Sequence, residues 1–486
     1  MYSSGLNRRD FLRTIGAGTV SLWMGSLHFC ARKREERPNV IYINIDDLGW
    51  KDLGFMGSEF YETPHVDALA QEGVVFTNAY APAANCAPSR ACCLAGQYPP
   101  RHGIYTVNNS DRGNPRTRKL IPVKNRTYLP DGQVTIAENL KATGYATAHI
   151  GKWHLGDDPT SQGFDINIGG SGIGHPRSYF SPYQNPRLED GPTGEYLTDR
   201  LTDEAVQFIS NNQTQPFFLY LAFYAVHTPL QPKPDKLDKY LKKQGAPGQN
   251  NAKYAAMIES MDENIGRILE ALEKLNLAQK TAVVFSSDNG GVRRITSMAP
   301  LRAGKGSYYE GGIRVPFIIR WPGKIEPGIK CEIPVHGVDL YPTILEMTQT
   351  PKTEGKALDG LSLFPLFSQT GRIDERPLFW HFPVYLEGGN RETRDPVFRT
   401  RPGSAVRMGD WKLHEYFEDS GLELYNLRED IGEKYNLAQK YPEKTKELHQ
   451  RLISWRESLR APVPPGLNPD YDGEYDKKLR LNLISE

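Results

Sequence analysis

Four short runs of almost purely apolar residues constrain the fold of this chain more than any other feature. Asn39 to Ile45 (Asn-Val-Ile-Tyr-Ile-Asn-Ile), Tyr145 to Ile150, Phe217 to Phe223 and Thr281 to Ser286 each read as a strand buried on both faces. Helical patterns lie between them. The clearest runs from Ala252 to Leu275, with Met257, Met261, Ile265, Ile268, Leu269 and Leu272 at helical spacing. Pro64 to Glu72 is a shorter one, with Thr63 placed to cap it and Pro64 suited to its first turn. Gly337 to Met347 is another packing helix. Strands alternating with helices imply an α/β fold, a large and mostly parallel sheet flanked by helices.

The pattern changes after Thr348. Thr348 to Gly360 is polar, with Pro, Gly and Lys, and reads as a linker. Beyond Pro377 the strands become short and antiparallel in style. Ala405 to Met408, the turn Gly409-Asp410 and Trp411 to Leu413 make a hairpin. Tyr441 to Leu459 reads as an amphipathic helix, and a Pro-rich tail follows from Ala461. The length of 486 residues has room for one large domain and a smaller one. The expected division is 37–365 for the larger and 366–486 for a C-terminal subdomain with a short antiparallel sheet and a helix. Lys and Arg number 59 against 58 Asp and Glu, with no long basic run, so a nucleic-acid partner is excluded.

The first 33 residues read as a targeting segment. Asn7-Arg8-Arg9-Asp10-Phe11-Leu12-Arg13 looks like a twin-arginine export signal, followed by a mildly apolar stretch from Thr14 to Phe29. That stretch is too short and too rich in Gly, Ser and Thr to span a membrane stably. The chain is therefore expected to be periplasmic or secreted, carried by the twin-arginine machinery. Cys30 closes the run and is where a lipid anchor would attach, although Leu27-His28-Phe29 is a poor lipoprotein cleavage site. Export implies an oxidising compartment, but five cysteines are too few for a disulfide framework. The neighbours Cys92 and Cys93 could bridge each other only with strain, so they are expected to pack as small apolar residues on a helix.

Polar residues sit at the end of each of the four strands, where open α/β sheets bind their ligands. Asp46 and Asp47 follow the first. Lys152 and His154 follow the second, in Gly151-Lys152-Trp153-His154. His227 follows the third and Asp288-Asn289 the fourth. Each alone has an ordinary explanation as a cap, a turn or a satisfied core group. Together, Asp46, Asp47, Asp288 and the Asn289 amide oxygen make a hard-oxygen ligand set. It suits Ca²⁺ or Mg²⁺ rather than zinc, and flexible many-oxygen coordination favours Ca²⁺.

Two motifs complete the constellation. Cys86-Ala87-Pro88-Ser89-Arg90, with Leu94 and Gly96 after it, resembles the sulfatase signature Cys-x-Pro-Ser-Arg followed by Leu-x-Gly. Gly304-Lys305-Gly306, then Tyr309-Glu310-Gly311-Gly312-Ile313-Arg314-Val315-Pro316, resembles the second signature of that family. The glycines permit a loop that brings Lys305 close to an anion. The resemblance runs from about Arg37 to Asp472 and points to the arylsulfatase and N-acetylgalactosamine-sulfatase branch of the alkaline-phosphatase-like superfamily. Ala95 and Gln97 depart from the usual Thr and Arg, downstream of the core motif.

Carried over position by position, the resemblance implies that a maturation enzyme oxidises Cys86 to formylglycine, whose hydrate is the nucleophile. It implies Asp46, Asp47, Asp288, Asn289 and the modified Cys86 as metal ligands. Arg90, Lys152, His154, His227 and Lys305 become the catalytic and sulfate-binding groups. The implied function is hydrolysis of sulfate esters, with exo-acting removal of sulfate from galactose or N-acetylgalactosamine-type sugars, the 4-position favoured. The segment from Trp380 to Arg401 carries Trp380, His381, Tyr385, Arg391, Arg394 and Arg399. It reads either as a sugar-binding loop, with His381 and Arg394 contacting substrate, or as an ordinary polar surface loop. The rival functions are a phosphate or phosphonate monoester hydrolase and an inactive protein that binds sulfated glycans.

Overall fold

The computed structural model describes residues 37–485. The targeting segment and Cys30 lie outside the described residues. An eight-stranded sheet forms the centre. Across it the strands run Ile166–Ile168, Ala146–Gly151, Phe217–Ala222, Asn39–Ile45, Thr281–Ser287, Phe317–Arg320, Val74–Phe76 and Ile329–Cys331. The first five are mutually parallel, and Phe317–Arg320 enters antiparallel. The four apolar runs are thus the four adjacent central strands.

Their composition follows from this position. Every residue of Asn39–Ile45, Phe217–Ala222 and Thr281–Ser287 is buried, because helices cover both faces. Ile41, Ile43 and Ile45 face one core, with Leu201 of the Leu197–Asn211 helix and Met257, Met261 and Ile265 of the Ala252–Lys274 helix. Val40 and Tyr42 face the other, with Ala87, Ala91 and Leu94 of the Cys86–Ala95 helix and Leu340 and Ile344 of Leu340–Met347. The helices arrive where their spacing places them. Thr63 is an exception in detail. Its hydroxyl accepts from the Gly54 amide and donates to Asp67 instead of capping the Pro64–Gln71 helix.

The C-terminal part is a four-stranded antiparallel sheet of Leu378–Phe382, Gly403–Met408, Trp411–Tyr416 and Gly421–Asn426. The Pro442–Leu459 helix lays Leu448 and Leu452 against Val406, Leu413 and Leu424. The tail ends in a further helix, Gly473–Ser485, that the prolines before it conceal in the sequence. The polar stretch 348–360 is packed rather than free. Asp359 receives the Tyr98 amide at 2.8 Å and its own amide donates to the Gly96 carbonyl at 3.0 Å. From Arg37 onward the chain packs as one unit. Cys86, Cys92, Cys93 and Cys331 are buried and free. No described helix is long and apolar enough to cross a membrane.

Candidate active site

Sheet register brings the strand ends together. Asn44 stands opposite both Ala222 and Ser286, and Gly151 opposite Ala222. The residues that follow therefore leave the sheet side by side. Asp46, Lys152 and Asn289 are fully buried there, with Asp47 and Asp288 nearly so. Asp47 and His154 both adopt left-handed backbone, at φ 64° and 63°. Non-glycine residues hold that conformation only where the surroundings impose it, and such positions concentrate at functional sites.

Carboxylates and cations interlock in this space. Lys152 Nζ lies 2.5 Å from Asp46 Oδ2. Arg90, one turn along the helix from Cys86, donates from Nε to Asp288 Oδ2 at 2.9 Å, and its Nη2 lies in ion-pair contact with the same oxygen at 2.8 Å. Its Nη1 donates to the Lys152 carbonyl at 3.0 Å. Lys305 Nζ reaches Asp47 Oδ1 at 2.5 Å and Cys86 Sγ at 3.2 Å. Burial opposes ionisation of Asp46, but Lys152, His227 and Arg90 outweigh it and hold the carboxyl far below the ordinary range. Asp288 moves the other way, raised by burial and by the charge of Asp46 despite Arg90. That opposition is the like-charge crowding that a bound cation relieves.

The donor set fits such a cation. Ligand atoms of Asp46, Asp47, Cys86 and His227 lie within 4.8 Å of one another. Asp46 Oδ1 and Asn289 Oδ1 are buried acceptors without a hydrogen-bond partner. The Asn289 amide nitrogen donates to Asp47 Oδ1 at 2.9 Å, which fixes which end of the amide is the free oxygen. Buried acceptors of this kind need a donor or an ion.

Cys86 opens the Cys86–Ala95 helix, whose N-terminus points backbone donors and the positive end of its dipole at the site. Burial pushes the Cys86 thiol up to about 11, against the pull of Lys152 and Lys305. At neutral pH it is a thiol, a poor nucleophile. Burial works against the Lys305 charge as well, but Asp47, Cys86 and Asp46 outweigh it and raise its proton affinity. His154 is held neutral by burial and by the Lys152 and Arg90 cations. His227 Nδ1 lies 2.7 Å from the Thr228 carbonyl oxygen, which assigns the hydrogen to Nδ1. Its Nε2 faces Asp47 Oδ2 at 3.6 Å.

Above these groups opens a cavity of about 530 Å³, with Cys86, His154, His227 and Lys305 among its lining residues. Two of the expected substrate contacts are not in it. His381 is 0% exposed. Its Nδ1 pairs with Ser404 Oγ and its Nε2 with the Pro462 carbonyl, both at 2.8 Å. Arg394 pairs with Asp419 at 2.7 Å and lies over the Tyr416 ring, centroid 4.0 Å away. Trp380 is buried against Tyr80, and Tyr385 donates to Glu418. Of the six residues proposed in that segment, Arg399 alone lines the cavity.

Four ionisable lining residues escaped the sequence reading: Arg112, His175, Arg177 and Glu387. His175 and Arg177 follow the strand Ile166–Ile168, so the strand-end rule covers them too. That strand is three residues long and partly exposed, and it has no apolar run to announce it. The His175 ring stacks 6.1 Å from that of His227. Arg112 donates from Nε at 3.0 Å and Nη2 at 2.5 Å to Glu387, across 275 residues of sequence that no local signal spans.

Comparison with known proteins agrees with this geometry. Residues 38–350 match the family described as "Sulfatase". Residues 304–458 match "N-sulphoglucosamine sulphohydrolase, C-terminal". The chain is 34% identical to a sulfatase of Formosa agariphila, over 88% of this chain and 90% of that one. It is 33% identical to N-acetylgalactosamine-6-sulfatase of Homo sapiens, over 89% and 88%. The crystal structure of Ps i-CgsB in complex with k-i-k-neocarrahexaose superposes with a TM-score of 0.74 at 30% identity, covering 93% of this chain and 98% of that one.

Proposed function

The chain belongs to the sulfatase family, sulfuric ester hydrolases of alkaline-phosphatase-like fold that act on sulfated sugars, and we propose that it is an exo-acting enzyme on galactose or N-acetylgalactosamine-type residues. The observation that carries the reading is Cys86, a thiol with high proton affinity at a helix N-terminus, ringed by Lys305, Lys152 and the carboxylates. Cysteine chemistry has no use for that setting, whereas an oxidised side chain at the same position does. Cys86 lines the cavity while only 3% exposed, and a recessed reacting position favours a chain end over the middle of a polymer. The human relative's name specifies a 6-sulfate, so position 6 displaces position 4 as the first to test.

In the matured protein Cys86 carries formylglycine, and Asp46, Asp47, Asp288 and Asn289 hold a divalent cation, Ca²⁺ before Mg²⁺. Together these supply a nucleophilic oxygen at neutral pH and charge neutralisation at the ester. The chain's own groups do the rest. Lys152 and Lys305, with the helix N-terminus, offset the charge of the sulfuryl oxygens as the ester is cleaved. Arg90 orients Asp288 through the Nε hydrogen bond and the ion pair. His227 keeps its Nδ1 hydrogen on the Thr228 carbonyl, so the proton it exchanges is carried on Nε2, which faces Asp47. That Nε2 proton goes to the departing sugar oxygen. His154, neutral and unpartnered at Nδ1, takes the proton whose loss lets sulfate leave.

Residues 37–365 carry this chemistry, and 366–486 complete the cavity through Leu386, Glu387 and Arg399. The maturation enzyme and the twin-arginine machinery are the partners the motifs imply, with a periplasmic or secreted destination. The test is ion chromatography of sulfate released from a panel of defined sulfated saccharides, with mass spectrometry of the Cys86 peptide. Release from galactose-type chain ends by protein carrying an aldehyde at position 86 is expected. Full activity with unmodified Cys86 overturns the mechanism, and preference for glucosamine or uronic-acid sulfates overturns the substrate.

A further inference from the structure

Seven of the twelve arginines from residue 366 onward pair with a carboxylate. Arg394 has Asp419, Arg401 has Asp395 and Glu418, Arg456 has Glu415, and Arg480 has Asp476. Arg399 differs. Its hydrogen bonds run to neutral carbonyls at the long end of the range, Nε to Gly388 at 3.3 Å and Nη1 to Lys305 at 3.4 Å. No carboxylate lies within ion-pair distance of it among the described residues.

The seat of this side chain is built. Gly306 and Gly388 flank it at φ 85° and 83°. A Cβ at Gly306 would stand 3.0 Å from the Arg399 Cδ, and one at Gly388 3.3 Å from its Nε. Both turns therefore need glycine for backbone reasons and for room.

Around it, charge is unbalanced. Glu387 is the one carboxylate among the cavity's lining residues, and both its oxygens accept from Arg112. Arg177 lines the same cavity. Burial, Arg294 and Arg112 all work against the Arg399 charge, and Glu387 and Asp47 only partly offset them. A guanidinium does not lose its proton in a protein, so the positive field stands until an anion enters. A planar fork with free donors matches an oxyanion in two-point contact.

We propose that Arg399 receives a second oxyanion of the substrate, a sulfate or carboxylate carried beside the ester that is cleaved. The inference rests on the reading of the Cys86 cavity as the sulfate-ester site. Lys305 spans the two positions, its carbonyl meeting Arg399 and its ammonium meeting Cys86. The two anion seats are thus one lysine side chain apart, the span between substituents on one sugar or on neighbouring sugars.

The experiment uses three matched saccharides: one sulfated once, one with a second sulfate, and one with a neighbouring uronate. The wild-type protein is expected to favour one of the doubly charged substrates in kcat/KM, and the sulfate and uronate arms tell which oxyanion fits. In Arg399→Gln that preference falls by about tenfold to a hundredfold, the range of one charge-assisted hydrogen-bonded pair. The loss sits in KM, and Arg399→Lys keeps part of the preference. The ratio between substrates cancels any general effect transmitted through the Lys305 carbonyl. Equal turnover of all three by the wild type, or an equal slowing of all three in Arg399→Gln, overturns the proposal. Absence of sulfate release from every substrate is a failure of the sulfatase reading instead. Calorimetric binding of the same saccharides to wild type and Arg399→Gln then decides the role of Arg399 without turnover.

Discussion

Replacing Lys412 by methionine should unsettle the seam between the two sheets and the loop that carries Lys305. Lys412 sits on the strand Trp411–Tyr416 with its side chain 0% exposed. Its Nζ lies 2.9 Å from Glu310 and 3.0 Å from Glu433, both also fully buried. Methionine keeps most of the stem volume, so packing changes little. What is lost is the cation between two carboxylates. Glu310 retains Arg314 at 2.9 Å and Tyr80 at 2.7 Å, while Glu433 retains His414 at 3.1 Å. Removing one partner from a buried ionic network costs about 3–5 kcal/mol. The charge state of Glu310 sets the pH dependence. Burial raises the Glu310 carboxyl, but Lys412, Arg314 and Arg407 outweigh it and bring it from 4.5 to about 2. That net shift is shared among the three cations, Lys412 first. Because the folded value lies below the unfolded one, this contribution is complete above pH 4.5 and is lost as pH falls toward 2. The deficit of Lys412→Met, measured by equilibrium denaturation, should be largest at neutral pH and shrink as pH drops through 4.5. Adding Glu433→Gln should return part of it. A deficit below about 1 kcal/mol at pH 7, under the range for a broken buried pair, would refute the reasoning. So would a deficit that stays constant as the medium is acidified.

Three further outcomes follow from the site and its surroundings. Asp288→Ala should lose the bound cation by elemental analysis, and turnover of an aryl sulfate should drop by about three powers of ten, since electrostatic stabilisation at the reacting group is lost. Lys305→Ala should cut kcat on the same substrate by about a hundredfold to a thousandfold while leaving the fold intact by circular dichroism, because its ammonium serves Asp47 and the Cys86 position rather than the core. His381→Ala should leave the choice among saccharides unchanged and cost about 1–3 kcal/mol of stability, through the loss of its bonds to Ser404 and Pro462. Burial lowers His381 from 6.5 to about 4, so its neutral form contributes above pH 6.5 and that contribution fades as pH falls to 4. The variant should show a shallower acid decline there.

The central sheet was legible because its strands are buried on both faces, which leaves a run of apolar residues and little else to read. Asp46, Lys152, His227 and Asp288 stood out for the same reason, as charges or imidazoles placed directly after such runs. The structure gathers all of them around Cys86 and Lys305. His381 and Arg394 failed for a reason that sequence hides. Composition from Trp380 to Arg401 suggests sugar contact, but which residues face a cavity depends on what covers each side of the strands. His381 lies under the Pro442–Leu459 helix beside Trp455, and Ser404 and Pro462 take up both its nitrogens. Those partners lie 23 and 81 residues away. Arg112 and Glu387 were invisible because only tertiary packing joins them.

Legibility therefore divides along a physical line. Groups at the reacting centre hang from sheet register. Asn44 is locked opposite Ala222 and Ser286, and a slip of one residue would turn every side chain of the strand to the other face. The apolar pattern that forbids such a slip is written in the sequence, so the position of Asp46 is written there as well. Groups that line the cavity on its outer side hang from loops and from strands of two or three residues, such as Leu386–Glu387 and Phe398–Thr400. No buried pattern fixes the register of strands that short. Arg399 can be assigned only once the turns at Gly306 and Gly388 are seen to hold it beside Lys305. The same looseness lets loops of this kind change which anion they select while the sheet beneath keeps its charges in place.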